Sequence, residues 1–244
     1  MGVEEMGWIT IIVDLKDLEV VSSSSTRDEI DFSLFDVSIS GRTVSSDGER
    51  MGVNVSDGGS ATQDWLVGCS SSLTMSRLSF IVKSQLNSRR SAFIHSTSTL
   101  SVMNCSVSFE SGALTDGKIG YNVINIEWGE LIVDGFVMEG NVIMNGKTPI
   151  TMVNGVKLEI LNCRVIGVEV IGEDGGCLNV GMKEGGCVNI EESNLSSMCS
   201  GGSGMKGGGM MISVGSEGSL EMKNVNLSEC EVPTDESEES GRGM

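Results

Sequence analysis

General acid–base chemistry needs several ionisable groups held within reach of one another. This chain offers few candidates. His95, in FIHST at 93–97, is the only histidine. Inside an apolar strand it reads as a structural side chain at the edge of a core. Glu191 and Glu192 are consecutive, so an extended backbone points them to opposite sides. Asp116 and Asp174 each precede glycine and read as Asp-Gly turns. The seven cysteines (69, 105, 163, 177, 187, 199 and 230) form no Cys-x-x-Cys pair, so no zinc site is expected. GGSGMKGGGM at 201–210 lacks the aspartate of calcium-binding glycine repeats and the Lys-Ser/Thr ending of a phosphate loop; it reads as a flexible corner loop. Trp8, Trp65, Trp128 and Tyr121 are the only large amphipathic rings, and Trp128 is expected at an exposed corner. The 15 methionines are dispersed and read as interior filler. No residue is assigned a catalytic, cofactor-binding or metal-binding role, and no cofactor is expected.

The elements that carry these residues follow from a repeat. LSVMNCSV at 100–107 and LEILNCRV at 158–165 are one template written twice. With the leading Leu as position zero, the template fits units starting at Phe32, Leu73, Leu100, Leu131, Leu158, Val188 and Leu220. Position two reads Leu34, Met75, Val102, Val133, Ile160, Ile190 and Met222. Position seven reads Ile39, Phe80, Val107, Met138, Val165, Leu195 and Leu227. Every one of these sites is apolar in a chain only 39% apolar, and the period of two means strand. Position four reads Asp36, Arg77, Asn104, Gly135, Asn162, Glu192 and Asn224. Most of these tolerate a left-handed backbone, and the alternation changes phase there, so position four is a corner between two strands. A second strand precedes each template: WLV at 65–67, AFI at 92–94, NVINI at 122–126, PITMV at 149–153, CLNV at 177–180 and MMISV at 210–214. Units of about 30 residues with three short strands cannot bury their own apolar faces; stacked units can, each about 4.8 Å from the next.

The repeat and its asparagine corner resemble the right-handed parallel β-helix of the pectin-lyase-like superfamily over about 30–231. The fold expected is therefore all-β, a right-handed parallel β-helix (solenoid) of about seven to eight rungs. GGCLNV (175–180), GGCVNI (185–190) and GGGMMI (207–212) also look like the Gly-Gly-Ala-Ile repeats of polymorphic outer-membrane-type adhesins, and like Cys- and Ser-rich β-helix repeats of large eukaryotic surface proteins. The adhesins' companion Phe-x-x-Asn element is missing. So are the Asn-x-Asp, Asp-Asp, Gly-His-Gly and Arg-x-Lys motifs carried by β-helix enzymes resembling polygalacturonases.

On stacked rungs the candidates separate. Asp36 and Asp134 fall near one corner but three rungs apart, roughly 14 Å. Cys105 and Cys163 point inward two rungs apart, roughly 10 Å, too far for a disulfide. Cys199 and Cys230 are expected near each other on neighbouring rungs, unbonded. Four sequons (Asn54, Asn104, Asn194 and Asn226) would accept glycans in a secreted protein.

A net charge of −18 argues against nucleic acid, which needs a basic face. No apolar run is long enough to span a bilayer, and the N-terminus lacks the pattern of a signal peptide. Residues 1–29 are expected to form an irregular first rung or N-terminal cap, 30–231 the β-helix, and 232–244 an acidic disordered tail. The expected function is that of a non-enzymatic structural or adhesive segment, part of a larger surface protein, meeting a protein or glycan surface. A carbohydrate-active β-helix enzyme, or a fragment of one, is the alternative.

Overall fold

Alternating apolar side chains place one face of each strand inward, and closing three such strands into a coil buries all three faces together. The computed structural model describes residues 73–228 except 84, 86–90, 173–175 and 201–208. It also describes the strands Ile9–Ile11, Leu18–Val21, Ile30–Asp31, Val37–Ser40, Met51–Ser56 and Trp65–Cys69. Every strand-to-strand ladder among them is parallel. The chain is an all-β parallel solenoid; among the described residues the only helical element is a single 3-10 turn at Ser111–Ala113.

Each coil contains a leading strand, a template strand and a trailing strand. Leading strands include Ala92–Ser96, Asn122–Ile126 and Met210–Ser213, close to the segments the sequence marks out. Ile150–Leu161 and Leu178–Glu191 each run through leading and template positions without a break. Their bends are register shifts beside Gly155, irregularities that turn a continuous strand without ending its ladder. Trailing strands, such as Leu78–Val82, Ser106–Phe109 and Val137–Asn145, form a separate sheet.

The template column is in register throughout. Leu73 pairs with Leu100, Leu100 with Leu131, Leu131 with Leu158, Leu158 with Val188, and Val188 with Leu220. From Leu73 to Val188 these side chains are 0–2% exposed; Leu220, on the last described coil, is 49% exposed. Position two behaves alike, from buried Met75 to exposed Met222. The trailing column stacks Phe80, Val107, Met138, Val165 and Leu195.

Position four turns a left-handed corner on every fully described coil. Its φ values are 56° at Arg77, 50° at Asn104, 65° at Gly135, 53° at Asn162, 49° at Glu192 and 51° at Asn224. An arginine or glutamate there costs about 1 kcal/mol. The conformation persists because it keeps the corner amide in the coil-to-coil ladder. Arg77 N donates to Met103 O at 2.9 Å, Gly135 N to Leu161 O at 2.9 Å, and Glu192 N to Lys223 O at 3.0 Å. Losing such a bond in a buried stack costs as much as or more than the strain.

Two expectations need correction. The solenoid winds about five turns, from Leu73 to Leu220, rather than seven to eight rungs; the strands before Leu73 extend the same columns but are described only as short segments. The first template is also misplaced: Val37, not Phe32, pairs with Leu73, and Ile39 with Met75. FSLFDVSI offers apolar residues at both even and odd positions, and a strand shifted by an odd number of residues exchanges its two faces. Asp36, the tail 232–244 and most of residues 1–29 lie outside the described residues.

Candidate functional surface

A solenoid interior is filled by packing, so any chemistry must come from the outward positions of its three faces. On the leading face, His95, Asn125, Thr151, Asn179 and Met211 stand in one register row. His95 is only 6% exposed, and the Asn125 amide donates to its Nδ1 across 3.2 Å. The histidine is thus a buried member of a polar ladder at the core edge, as its apolar setting implies.

Beside this row lies a groove of about 330 Å³ lined by Asn122, Lys147, Thr151, Met152, Val153, Asn179 and Gly181. Two features shape it. Gly181 has no side chain where its register partner Ser213 has one, and a Cβ there would meet nothing nearer than Met152 O at 3.9 Å. At the other edge, the Thr148 amide donates to Asn122 Oδ1 at 3.1 Å, while the Thr148 hydroxyl lies 2.8 Å from that of Thr151. These bonds hold both polar side chains in place although Thr148 is fully buried.

The corner between leading and template strands carries Trp128, 46% exposed as its place after NVINI implies. Lys183 Nζ sits 4.2 Å from the centre of its ring. Such a cation–π contact at an exposed site contributes on the order of 0.5–1 kcal/mol. Val153 and Val156, on the intervening coil, are exposed too.

Carboxylates on the template and trailing faces engage donors. Asp134 accepts from the Asn162 amide at 2.9 Å, and Glu192 from the Asn224 amide at 2.6 Å. Glu191 takes Asn189 at 3.1 Å and Lys223 at 3.5 Å. Lys157 pairs with Glu159 at 3.0 Å, and Arg164 with Glu139. The Glu159 hydrogen bond raises the Lys157 pKa, and the Glu221 hydrogen bond that of Lys223. Most of these pairs link one coil to the next at the rung spacing, which makes them surface ladders; exposed pairs of this kind contribute about 0–1 kcal/mol each. Among the described residues no three of His, Cys, Asp and Glu converge on a metal-sized space.

Position five brings Cys105, Phe136 and Cys163 into one buried column, with the phenyl ring's coil between the two thiols' coils. Cys177 is buried as well, whereas Cys187 is exposed. Cys69 and Cys199 lie on strands whose side chains are outside the described residues, as Cys230 is altogether, so the Cys199–Cys230 expectation is not addressed. Burial pushes the Cys163 thiol from 9.0 up to about 11, partly offset by hydrogen bonds to backbone. The unfolded thiol therefore ionises first as pH rises. This site's contribution is complete below pH 9 and is lost towards pH 11, by about 2–3 kcal/mol in total. A thiol reagent at neutral pH should modify Cys187 in the folded protein and leave Cys105, Cys163 and Cys177 until denaturant is added. Mass spectrometry of the labelled peptides reads the order, and early modification of Cys163 would contradict its placement.

The sequon asparagines differ in setting. Asn194 is half-buried with its Ser196 buried, whereas Asn226 is exposed and donates to Asn194 Oδ1 at 3.4 Å. Sequence reasoning missed the groove and the Lys183–Trp128 contact. A glycine two residues beyond Asn179, on the same outward phase of the strand, was the available signal for the first. The second joins residues two coils apart, which alternation does not reveal. Among the described residues no helix is long and apolar enough to cross a membrane. Comparison with protein-family models, with curated proteins and with solved structures returns no match to this chain.

Proposed function

We propose that this solenoid is a non-enzymatic structural or adhesive segment of a larger surface protein, meeting a protein or glycan surface through its outward faces. The observation that carries the reading is the use made of the carboxylates. Asp134, Glu139, Glu159, Glu191 and Glu192 each engage an amide or a cation, most of them on the neighbouring coil. Acid–base cleavage instead wants two carboxyls facing one bond across about 5–10 Å. Rows of Ser, Asn and Thr present hydrogen-bonding edges suited to lateral contact. Residence at a cell surface or outside the cell belongs to this proposal.

The groove on the leading face favours a second reading, a carbohydrate-active enzyme or a fragment of one. Its amides, the Thr151 hydroxyl and Lys147 are groups that hold a sugar, and Trp128 stands at the adjoining corner. The purified chain should give no product from polygalacturonate or from neutral polysaccharides, with or without calcium. Reproducible turnover that disappears in Lys147→Ala would reject the first reading in favour of the second.

A further inference from the structure

The groove on the leading face holds a buried side chain whose hydrogen bonding the fold leaves half made. Asn122 lines the groove and is only 7% exposed. Its Oδ1 accepts from the Thr148 amide at 3.1 Å, and an N–H donor there fixes which branch of the carboxamide is oxygen. The other branch, Nδ2, has no hydrogen-bond partner among the described residues. It is not fully enclosed, so its donors open into the groove. A donor on so deeply buried a side chain is one that a ligand acceptor satisfies with gain.

Thr151 is fixed in the opposite sense. The Thr148 hydroxyl gives its one proton to Ile150 O at 3.2 Å, so the 2.8 Å contact between the two hydroxyls is a donation from Thr151. Thr151 Oγ1 therefore offers lone pairs to the groove. Lys147, next to Thr148 in the chain, is half-buried and forms no ion pair or hydrogen bond among the described residues. Beyond this polar end lie Met152, Val153, which is 47% exposed, and the space over Gly181.

We infer that this groove binds the free C-terminal residue of a partner peptide. Its carboxylate meets Lys147 and the Asn122 amide, its own N–H meets Thr151 Oγ1, and a small apolar side chain fills the space over Gly181 beside Val153. The match is one of kind and number. A cation and a fixed donor suit an anion with two acceptor oxygens, and a fixed acceptor suits the one donor a peptide carries beside its terminal carboxylate. An aspartate or glutamate side chain brings the charge but not that adjacent N–H. A sugar acid brings the charge and hydroxyls, but the ring at the adjoining corner, Trp128, already carries Lys183 Nζ over its face at 4.2 Å. Capture of a terminal carboxylate is a recurring way for one protein to read another. The inference names a ligand for the contact surface proposed above and rests on that reading.

NMR titration of the full chain with N-acetyl-alanyl-valine, as the free acid and as its C-terminal amide, tests it. The Asn122 side-chain amide protons should shift with the acid, which should bind about tenfold or more tightly than the amide. Lys147→Ala should bring that ratio to about one, and Gly181→Val should weaken the acid about tenfold by filling the space. Neither should alter β circular dichroism, since Lys147 is half-buried and unpaired and a Cβ at 181 meets nothing nearer than Met152 O at 3.9 Å. Should a variant misfold, the wild-type ratio and the Asn122 signal decide by themselves. Glucuronate, titrated alongside, is the sugar-acid arm and should bind more weakly than the peptide acid. Absence of binding by the acid, equal binding of acid and amide, a ratio that survives in Lys147→Ala, or tighter binding of glucuronate would overturn the inference. Polysaccharide turnover is read in a separate assay, so this inference and the reading beneath it fail separately.

Discussion

A Leu131→Asp chain should lose its middle coils, while a Leu220→Asp chain keeps them. The two leucines occupy the same template position and differ in what covers them. Leu131 is fully buried between Leu100 and Leu158, whereas Leu220 is 49% exposed. A carboxylate at 131 has no partner and no water, so it must stay buried and unpaired, take up a proton, or open the stack. A cost of about 4 kcal/mol or more is expected, against the roughly 5–15 kcal/mol that holds a whole domain together. At 220 the carboxylate remains hydrated, and the change should stay within about 0.5 kcal/mol. Urea titrations followed by circular dichroism compare the two. Equal midpoints would mean that Leu131 is not where the stack places it.

Truncating Phe136 should have the next largest effect. Its ring is fully buried in the position-five column, on the coil between those of Cys105 and Cys163. Phe136→Ala removes most of that volume, and a coil pinned by ladders above and below cannot collapse into the space. A loss of about 3–5 kcal/mol is expected, against less than about 1.5 kcal/mol for Phe136→Leu. Because each coil contacts only its neighbours, the damage should be local. Cys105 and Cys163 should become reactive at denaturant concentrations where Cys177, two coils beyond Phe136, is still protected. A Phe136→Ala chain with unchanged midpoint and unchanged thiol protection would contradict the packing.

Much of the framework was legible because stacking repeats one environment. Positions zero, two, five and seven are inward on each fully described coil, and the inward environment selects Leu, Val, Ile, Met, Phe or Cys at all of them but Ser193, whose buried hydroxyl donates to Glu191 O and accepts from Cys163 N. The corner was readable from Asn104, Gly135, Asn162 and Asn224. It holds equally at Arg77 and Glu192, whose types do not favour it, because the amide ladder outweighs the local strain. The first template went wrong where FSLFDVSI allows two registers, and only pairing with Leu73 separates them.

The surface was less legible. Periodicity says which residues face outward but not what lies beside them on the next coil. The bonds from Asn162 to Asp134 and from Asn224 to Glu192 therefore had no sequence signature. Exposure of Leu220 was hidden for a related reason. The template describes a residue's own coil, while burial depends on the coil that covers it.

Paired cysteines test the parallel, in-register stacking of the coils directly. Ser106 Oγ donates to Ser79 Oγ at 2.9 Å, and the two serines are partners in the trailing column. Their α-carbons should lie about one strand spacing apart, near 4.8 Å, within the range a disulfide or a short dithiol linker bridges. The control pair is Ser79 with Asn194, in the same column but four coils distant, roughly 19 Å away at that spacing. Under native conditions with mild oxidant or a short linker, S79C/S106C should give an intramolecular cross-link joining peptides 78–83 and 91–118. S79C/N194C should give none. Cross-linking of both pairs alike, or of the distant pair alone, would contradict the stack.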